Sequence, residues 1–485
     1  MHLYWGNNNK KCYGEGNMFR KLIRKLNYLK IKETTSQKQQ LYPDESRQNI
    51  PPTLANVRLQ LQEILGECDD LVIRDISIGN RASVKALLVY LDGMVEKSTI
   101  EDSILRPLII ESRQLDAPWP QDPMTAIKRL LSVGQLNELT DFNDTLNFIL
   151  SGEAVIFVEG QTKALWAGTA GYKTRGIEKT ETDNVIRGPR ESFNEDLKTN
   201  ITLIRRKLKD PRLKIEILQL GTRTRTKVAI CYVKGLAHEE ILETVRKRLK
   251  SISIDAVLES GYIEECIEDA PMSIFPTIGH TEKPDIVVSK ILEGRIAVIC
   301  DGTPFVLTMP YLFVETLQIS EDYYRRLPFS NFMRWVRFLA LMLTILLPSL
   351  YVALISFHQE TIPFKLLMRI AATRQGIPFS PMMEALIMTL AFEILKEAGI
   401  RIPGPTGQTV SIVGGLVLGQ AAVEASIASN LMIIITSLTA ISGFAVPGLE
   451  EVIPILRILL LVAANAFGLA GIWLVMVCVV TYMCT

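Results

Sequence analysis

The pattern of hydrophobic and polar positions divides the chain into two unlike parts. From residue 51 to 327, short aliphatic runs alternate with segments whose apolar residues recur at helical spacing. Beyond Trp335 the apolar runs are long and carry few charges. Alternating short strands and amphipathic helices are typical of α/β sheet layers, whereas apolar runs of about 18 residues or more are typical of transmembrane helices. The pattern therefore predicts a soluble α/β part followed by an all-α membrane part.

The soluble part is predicted to form two α/β lobes, 51–193 and 194–327, after a basic, flexible tail, 1–50. In the tail, residues 18–32 place apolar side chains at helical spacing among basic ones, which would suit an anionic membrane surface, a neighbouring domain or a mobile arm. The pattern predicts strands at 71–78, 85–91, 153–159, 214–221, 227–233 and 295–300. It predicts helices at 53–66, within 123–151, at 194–209 and at 238–251.

The membrane part, 328–485, is predicted to contain about five transmembrane helices. The apolar segments are 338–357, 382–395, 408–429, 431–443 and 453–484. Residues 362–381 contain three basic residues and three prolines and are predicted to form an interfacial elbow. The last segment is too long for one untilted span, so one long helix and a helical hairpin both fit.

The charges that flank the first apolar segment predict its orientation. Four arginines precede it, and His358, Gln359 and Glu360 follow it; the arginines are Arg325, Arg326, Arg334 and Arg337. Basic residues favour the cytoplasmic side of a membrane helix. The soluble part is therefore predicted to lie on the cytoplasmic side of a multi-pass protein.

Segment 408–429 differs from an ordinary lipid-facing helix because small residues dominate it. Gly415 and Gly419 form a GxxxG step, which predicts close helix packing. Gln420 and Glu424 lie one helical turn apart, and a carboxylate at membrane depth is a functional hypothesis by default. One face of the helix combines polar and aliphatic side chains and is predicted to line a pore: Thr409, Val413, Leu416, Gln420, Glu424 and Ile427.

The same segment also fits a tightly buried helix, in which Glu424 would cap a helix end or pair with a basic group. Three further intramembrane charges are Glu384, Glu393 and Arg457. In a transporter, Glu384, Glu393 and Glu424 would relay protons or bind substrate; otherwise such charges pair structurally. The pattern leaves these interpretations open.

Composition and charge exclude several classes of function. The chain has 53 Lys and Arg against 52 Asp and Glu, a formal net charge of +1, which predicts no nucleic-acid partner. The seven cysteines form no CxxC and the four histidines are scattered, so no metal or other cofactor is predicted.

No catalytic arrangement emerges from the soluble part. The glycine-rich stretch 168–176 lacks the spacing of a phosphate-binding loop. Asp301 follows a strand, but Ile299 stands where a phosphatase would need a second aspartate. Four arginines, Arg187, Arg190, Arg205 and Arg206, could bind an anion or form surface and inter-subunit ion pairs. Without a nucleophile–base pair, the chain is predicted not to be an enzyme.

From Arg175 onward, long gapless blocks give the chain a specific resemblance. They include Thr-Asp-Asn-Val-Ile-Arg-Gly-Pro-Arg at 182–190, Asn-Ile-Thr-Leu-Ile-Arg-Arg-Lys-Leu at 200–208, and 294–324. In the membrane part they include 347–350, 378–386, 397–403 and 407–423. On these blocks the chain resembles the A subunits of the spore germination receptors, the GerA-type nutrient germinant receptors.

This resemblance implies a receptor subunit in the spore inner membrane that triggers germination, with its soluble domain on the core side. It implies a transporter-like B subunit and a lipoprotein C subunit as partners, with the small nutrient bound mainly by a partner subunit. It also implies contact with membrane lipid and self-association into a ligand-gated ion channel, which would be lined by 409–427. A transporter or permease subunit that uses intramembrane carboxylates, or a non-conducting signalling scaffold, are the alternatives.

Overall fold

The computed structural model of the chain describes residues 48–79, 84–114, 122–171, 187–271, 273–401 and 405–484. Within the helices, the side chains of residues 400–413, 416, 447 and 484 lie outside this description. The described chain forms two compact units: residues up to 61 with 72–91 and 95–170, and residues 62–71 and 92–94 with those from 171 onward. The predicted tail, 1–50, lies outside the described residues except for 48–50.

The first unit is built on a sheet of five strands: β1 (Leu71–Ile78), β2 (Val84–Leu91), β3 (Leu136–Leu139), β4 (Ala154–Val158) and β5 (Ala164–Ala167). Their order is β1-β2-β4-β5-β3. Its helices are α1 (Leu54–Leu65), α2 (Pro123–Leu130) and α3 (Phe142–Leu150), with π-helical segments Thr99–Leu105 and Pro107–Glu111 and a single turn at Ser112–Gln114. The sheet buries Leu88 and Ile156 in one core with Ile104, Leu108 and Ile127.

Two aspartates determine where α2 and α3 begin. Asp122 accepts a hydrogen bond from the backbone N–H of Met124 at 3.2 Å, and Asp141 accepts one from Asn143 at 3.0 Å. Such side chains satisfy the free N–H groups of a first helical turn. Helices predicted within 123–151 are therefore present at both ends of that stretch, but its middle forms β3, which pairs antiparallel with β5.

The soluble part of the second unit holds a second five-stranded sheet: β6 (Leu213–Leu220), β7 (Thr226–Val233), β8 (Gly279–Thr281), β9 (Ile296–Cys300) and β10 (Val306–Met309). The order is β6-β7-β9-β10-β8, and each pairing is antiparallel. The helices are α4 (Leu197–Lys207), α5 (Glu239–Ser251), α6 (Ser260–Ile267), α7 (Pro284–Leu292) and α8 (Glu321–Tyr324).

Helices cover both faces of this second sheet. Along β7, Ala229 and Cys231 pack in the core that contains α4 and α7, whereas Val228 and Ile230 pack in the core that contains α5 and α6. Successive side chains of a strand point to opposite faces. Since both faces of the sheet are buried, the sequence of β7 is an almost continuous run of apolar residues. This run is why the strand could be predicted from the sequence.

The remainder of the second unit is helical: α9 (Leu327–Ser356), α10 (Phe364–Arg374), α11 (Pro381–Arg401), α12 (Pro405–Glu424), α13 (Asn430–Gly443) and α14 (Val452–Cys484). Short 3₁₀ turns lie at Phe313–Leu317, Gln359–Thr361 and Pro447–Leu449. Residues from all six of these helices share one apolar core, which includes Leu341, Ile370, Ala385, Ala422, Met432 and Leu460.

Two described helices are long and apolar enough to cross a membrane by length and composition, Leu327–Ser356 and Val452–Met483. A shorter apolar helix spans Asn430–Gly443. These helices support an association with the membrane. The predicted number of about five spans stays a prediction.

Helix α14 folds back on itself at Gly468, where the backbone has φ 58° and ψ −137°. A β-carbon added at Gly471 would lie 2.2 Å from the carbonyl oxygen of Ala463, eight residues earlier. In a straight helix those residues would be about 12 Å apart. The sequence left open a single helix or a hairpin for this segment, and the structure has the hairpin.

Candidate functional site

Helix α12 carries the residues predicted to line a pore. Its Gln420 donates a hydrogen bond from Nε2 to Oε1 of Glu424 at 3.0 Å, and both side chains are exposed. Ile427 follows the helix and is 36 % exposed. The side chains of Thr409, Val413 and Leu416 are outside the described set. Among described side chains Glu424 has no ion pair, so it does not have the basic partner that the buried-helix interpretation offered.

Three glycines bring α12 close to its neighbours. A β-carbon added at Gly415 or Gly419 would lie 3.5 Å from Leu395 of α11 or from Ile433 of α13, respectively. Gly414 is tighter, because its β-carbon would lie 2.7 Å from Leu395 Cδ1. The packing roles of Gly415 and Gly419 stay predictions, and Gly414 is a residue that the GxxxG pattern did not single out.

Glu384 lies fully buried near the start of α11. Its Oε2 accepts a hydrogen bond from Arg374 at 2.8 Å, and its Oε1 accepts from the backbone N–H and the hydroxyl of Ser429 at 2.6 and 2.5 Å. Ser429 in turn caps α13 by accepting from the N–H of Met432. The predicted intramembrane charge is therefore a neutralised pair that joins the end of α10 to the start of α13.

A second charged cluster joins α11 to α14. Arg457 donates to Oε1 of Glu393 at 3.0 Å and to the carbonyl of Thr344 at 3.3 Å. One turn along α11, Lys396 pairs with Glu450 at 2.7 Å. These four charged side chains line a small cavity together with Phe444 and Pro454. The cavity therefore contains equal numbers of positive and negative groups.

At the junction between the second sheet and the helices, Asp322 of α8 holds Arg337 of α9. Two hydrogen bonds of 2.6 and 2.9 Å join them, and both residues are buried. Burial alone would raise the pKa of Asp322, but the hydrogen bonds and charge of Arg337 outweigh it and hold the pKa below its ordinary value. Arg337, from which the membrane orientation was predicted, therefore also attaches α9 to α8.

The same junction carries a crowded carboxylate, Glu264 of α6. Burial raises the pKa of Glu264 to about 7, and the charges of Glu268, Glu451 and Glu259 act in the same direction. Since this pKa exceeds its ordinary value of 4.5, the folded state binds a proton that the unfolded state has released. Stability therefore falls as the pH rises through this interval.

We expect Glu264→Gln to remove this dependence. At pH 8 the variant should be more stable than the wild type by about 1 kcal/mol, a value that allows for the partial exposure of Glu264 to solvent. At pH 5 the difference in stability should nearly vanish. Melting temperatures of the purified full-length chain between pH 5 and 8 measure the effect. The adjacent exposed residue supplies the control, Glu265→Gln. Equal slopes for wild type and Glu264→Gln would contradict the prediction.

Sequence reading missed the two partners of Glu384. Arg374 was assigned to an interfacial elbow, and Ser429 was assigned to the end of the preceding span. The Ser-x-x start of α13 was the available signal, because serine is a preferred N-cap. Of the four arginines considered for an anion site, Arg205 is fully buried against Asp70, so it is neither an anion ligand nor a surface charge.

Comparisons with known proteins match nearly the whole chain to spore germination proteins. A family model described as Bacillus/Clostridium GerA spore germination protein matches residues 59–485. The chain is 40% identical to spore germination protein KA of Bacillus subtilis (strain 168), over 90% of this chain and 80% of that protein. It is 38% identical to spore germination protein GerLA of Bacillus cereus, over 87% of this chain and 86% of that protein.

Among solved structures, the chain is similar to the N-terminal domain of the A subunit of the Bacillus megaterium spore germinant receptor GerK3. The identity is 33%, and the match covers 56% of this chain and 99% of that domain, with a TM-score of 0.44.

Proposed function

The chain belongs to the GerA family of spore germination proteins, and from that premise we propose that it is the A subunit of a nutrient-germinant receptor. In this proposal it resides in the spore inner membrane as a multi-pass protein with its soluble part on the core side. It works with a transporter-like B subunit and a lipoprotein C subunit, and the small nutrient binds mainly to a partner subunit. Several copies surround an ion path lined by residues 409–427, which form most of α12 and the turn that follows it.

The observation that carries the channel proposal is the exposed pair Gln420 and Glu424 on α12. An exposed carboxylate at membrane depth is unfavourable unless water or another protein surface faces it. Rings of carboxylates and hydrophobic constrictions are common means of selecting and gating ions. A symmetric assembly would place the pair around a shared aqueous path, with Val413 and Leu416 forming the closed constriction.

The pairing of the other carboxylates argues against a proton-relay transporter. Glu384 is held by Arg374 and Ser429, and Glu393 is held by Arg457. Each of these carboxylates already has a fixed cationic partner, which is the usual arrangement of a structural ion pair within a membrane. These two residues therefore support a structural role, and Glu424 is the carboxylate left to act on ions.

We expect Leu416→Ala to open the path without nutrient. Removing the bulk of the constriction should shift the closed–open equilibrium by at least about 1.4 kcal/mol, which is a tenfold increase in resting ion leak. Ion efflux from vesicles that contain the reconstituted receptor, measured before germinant is added, gives the result. Normal gating with no leak would remove Leu416 from the constriction.

The matched control is Leu418→Ala on the same helix. Residues two positions apart are rotated by about 200° around the helix axis, so Leu418 lies on nearly the opposite face from Leu416. This change should therefore leave the leak unaltered. The same recordings separate the channel from the signalling scaffold. Glu424→Gln should weaken cation preference if α12 lines the path, whereas the scaffold alternative predicts unchanged selectivity. Glu240→Gln, on an exposed helix of the soluble part, controls for the loss of charge.

A further inference from the structure

Helix α10 (Phe364–Arg374) leaves most of its surface unpacked within this chain. Ile370 is its one buried residue. Three large apolar side chains are well exposed: Phe364 at 73 %, Met368 at 56 % and Leu366 at 50 %. Phe364 and Met368 are four residues apart and lie on the same face, which is away from Ile370. An exposed apolar face of this kind marks contact with another protein or with a membrane.

The charges on α10 are all positive. No acidic residue occurs between Glu360 and Glu384, whereas Lys365, Arg369 and Arg374 lie in that interval. Arg374 is neutralised by Glu384. Lys365 and Arg369 are exposed and have no ion-pair partner among the described residues. They lie beside the Phe364–Met368 face, about one turn apart, so the helix presents an apolar surface with a basic edge.

The chain places α10 at one end of the helical core. Helix α9 leaves the soluble part at Leu327 and ends at Ser356, so α10 begins at its far end. His358, between the two helices, accepts a hydrogen bond from the backbone N–H of Leu469 at 3.4 Å, beside the reversal of α14. The turn of α14 and the start of α10 therefore lie at the same end of the helices.

We propose that α10 lies in the headgroup layer of the membrane, opposite the soluble part, and binds anionic phospholipid through Lys365 and Arg369. This inference rests on α9 crossing the membrane, and it is independent of whether α12 lines a pore. An amphipathic helix with apolar residues on one side and basic residues beside them is the usual form of an interfacial helix. Unpaired cations beside the apolar face favour phosphate headgroups over a second apolar protein surface, which would leave both charges without a partner.

The test uses the full-length chain with p-benzoylphenylalanine in place of Phe364, reconstituted in vesicles of equal parts phosphatidylglycerol and phosphatidylcholine. After illumination, mass spectrometry of the adducts gives the ratio of the two lipids. Near an anionic surface, each cationic side chain increases the equilibrium constant for binding to that surface about fivefold. We expect the ratio of phosphatidylglycerol to phosphatidylcholine among the adducts to be about fivefold or more above the bulk ratio of one. In Lys365→Gln/Arg369→Gln, the ratio should fall to that of the bulk.

Phe467 provides a matched probe position. It is also 73 % exposed, it precedes the reversal of α14, and no basic residue lies within nine positions of it in the sequence. Benzoylphenylalanine at 467 should capture both lipids at the bulk ratio. Lys247→Gln/Lys250→Gln, on the soluble helix α5, removes the same charge and should not change the enrichment at 364.

Three outcomes would overturn the proposal. A bulk ratio at 364 in the wild-type chain would show that α10 does not select anionic lipid. Capture of protein at 364, whether a second copy or a partner subunit, would assign the apolar face to a protein interface. Lipid at 467 with none at 364 would place α10 away from the membrane surface. Each result is obtained without the charge-removing variant.

Discussion

Arg205→Ala should destabilise the soluble part of the second unit by about 3–5 kcal/mol, because it leaves a buried carboxylate without its partner. Arg205 is fully buried and Asp70 is 5 % exposed. Their side chains are joined by two hydrogen bonds of 2.9 and 2.8 Å, and a third bond of 3.2 Å runs from Arg205 to the carbonyl of Leu213. Denaturant unfolding of the full-length chain, followed by circular dichroism, measures the loss.

The neighbouring residue on α4 is the matched control. Arg206 forms an ion pair with Glu191 at 2.9 Å, but both side chains are about one-third exposed. An ion pair in contact with water contributes at most about 1 kcal/mol, so Arg206→Ala should be mild. Arg205→Met/Asp70→Leu should recover most of the stability, because no buried charge remains unpaired. Equal losses for Arg205→Ala and Arg206→Ala would contradict the buried-pair account.

Sequence patterns revealed the strands that are long or buried on both faces. The strand predicted at 71–78 is β1 (Leu71–Ile78), and the segment predicted at 227–233 is β7 (Thr226–Val233). Runs of β-branched and apolar residues at these positions have few other stable conformations in a soluble domain. The α/β character of the soluble part and the helical character of the rest followed from such runs.

Short strands were not predictable in the same way. Strand β3 has four residues, Leu136–Leu139, and lies at the edge of its sheet beside β5. Its sequence, Leu-Asn-Glu-Leu, is compatible with the helices on either side of it. The strand conformation is imposed by hydrogen bonds to β5, so tertiary pairing overrides the local pattern. The same reasoning applies to β8 and β10, which were not predicted.

The polar groups of the membrane part were identified as residues but not as pairs. Apolar surroundings make Glu384, Glu393 and Arg457 stand out in the sequence. Glu393 and Arg457 are 64 residues apart in the sequence, and Glu384 and Ser429 are 45 residues apart. No periodicity connects positions so distant, because the pairing depends on which helices pack together. The exposed state of Glu424 likewise became visible only once its neighbours were placed.

Glu384→Ala should destabilise the helical part of the chain by about 3 kcal/mol or more. The change leaves Arg374 largely buried without a counter-charge and removes the acceptor for two donors of Ser429. Melting of the full-length chain in detergent measures the effect. Glu360→Ala, which removes an exposed carboxylate, should change the melting temperature little. Glu384→Leu/Arg374→Met removes both charges and should restore much of the loss.

This substitution should also affect function, and in a way that differs from Leu416→Ala. Glu384 fixes the start of α13, and α13 contacts α12 at Gly419 through Ile433. Loosening that attachment should let α12 move, so Glu384→Ala should leak ions and melt early. Leu416→Ala should leak while its melting temperature stays near that of the wild type. If Glu384→Ala melts early but holds ions as well as the wild type, the attachment stabilises the helices without controlling α12.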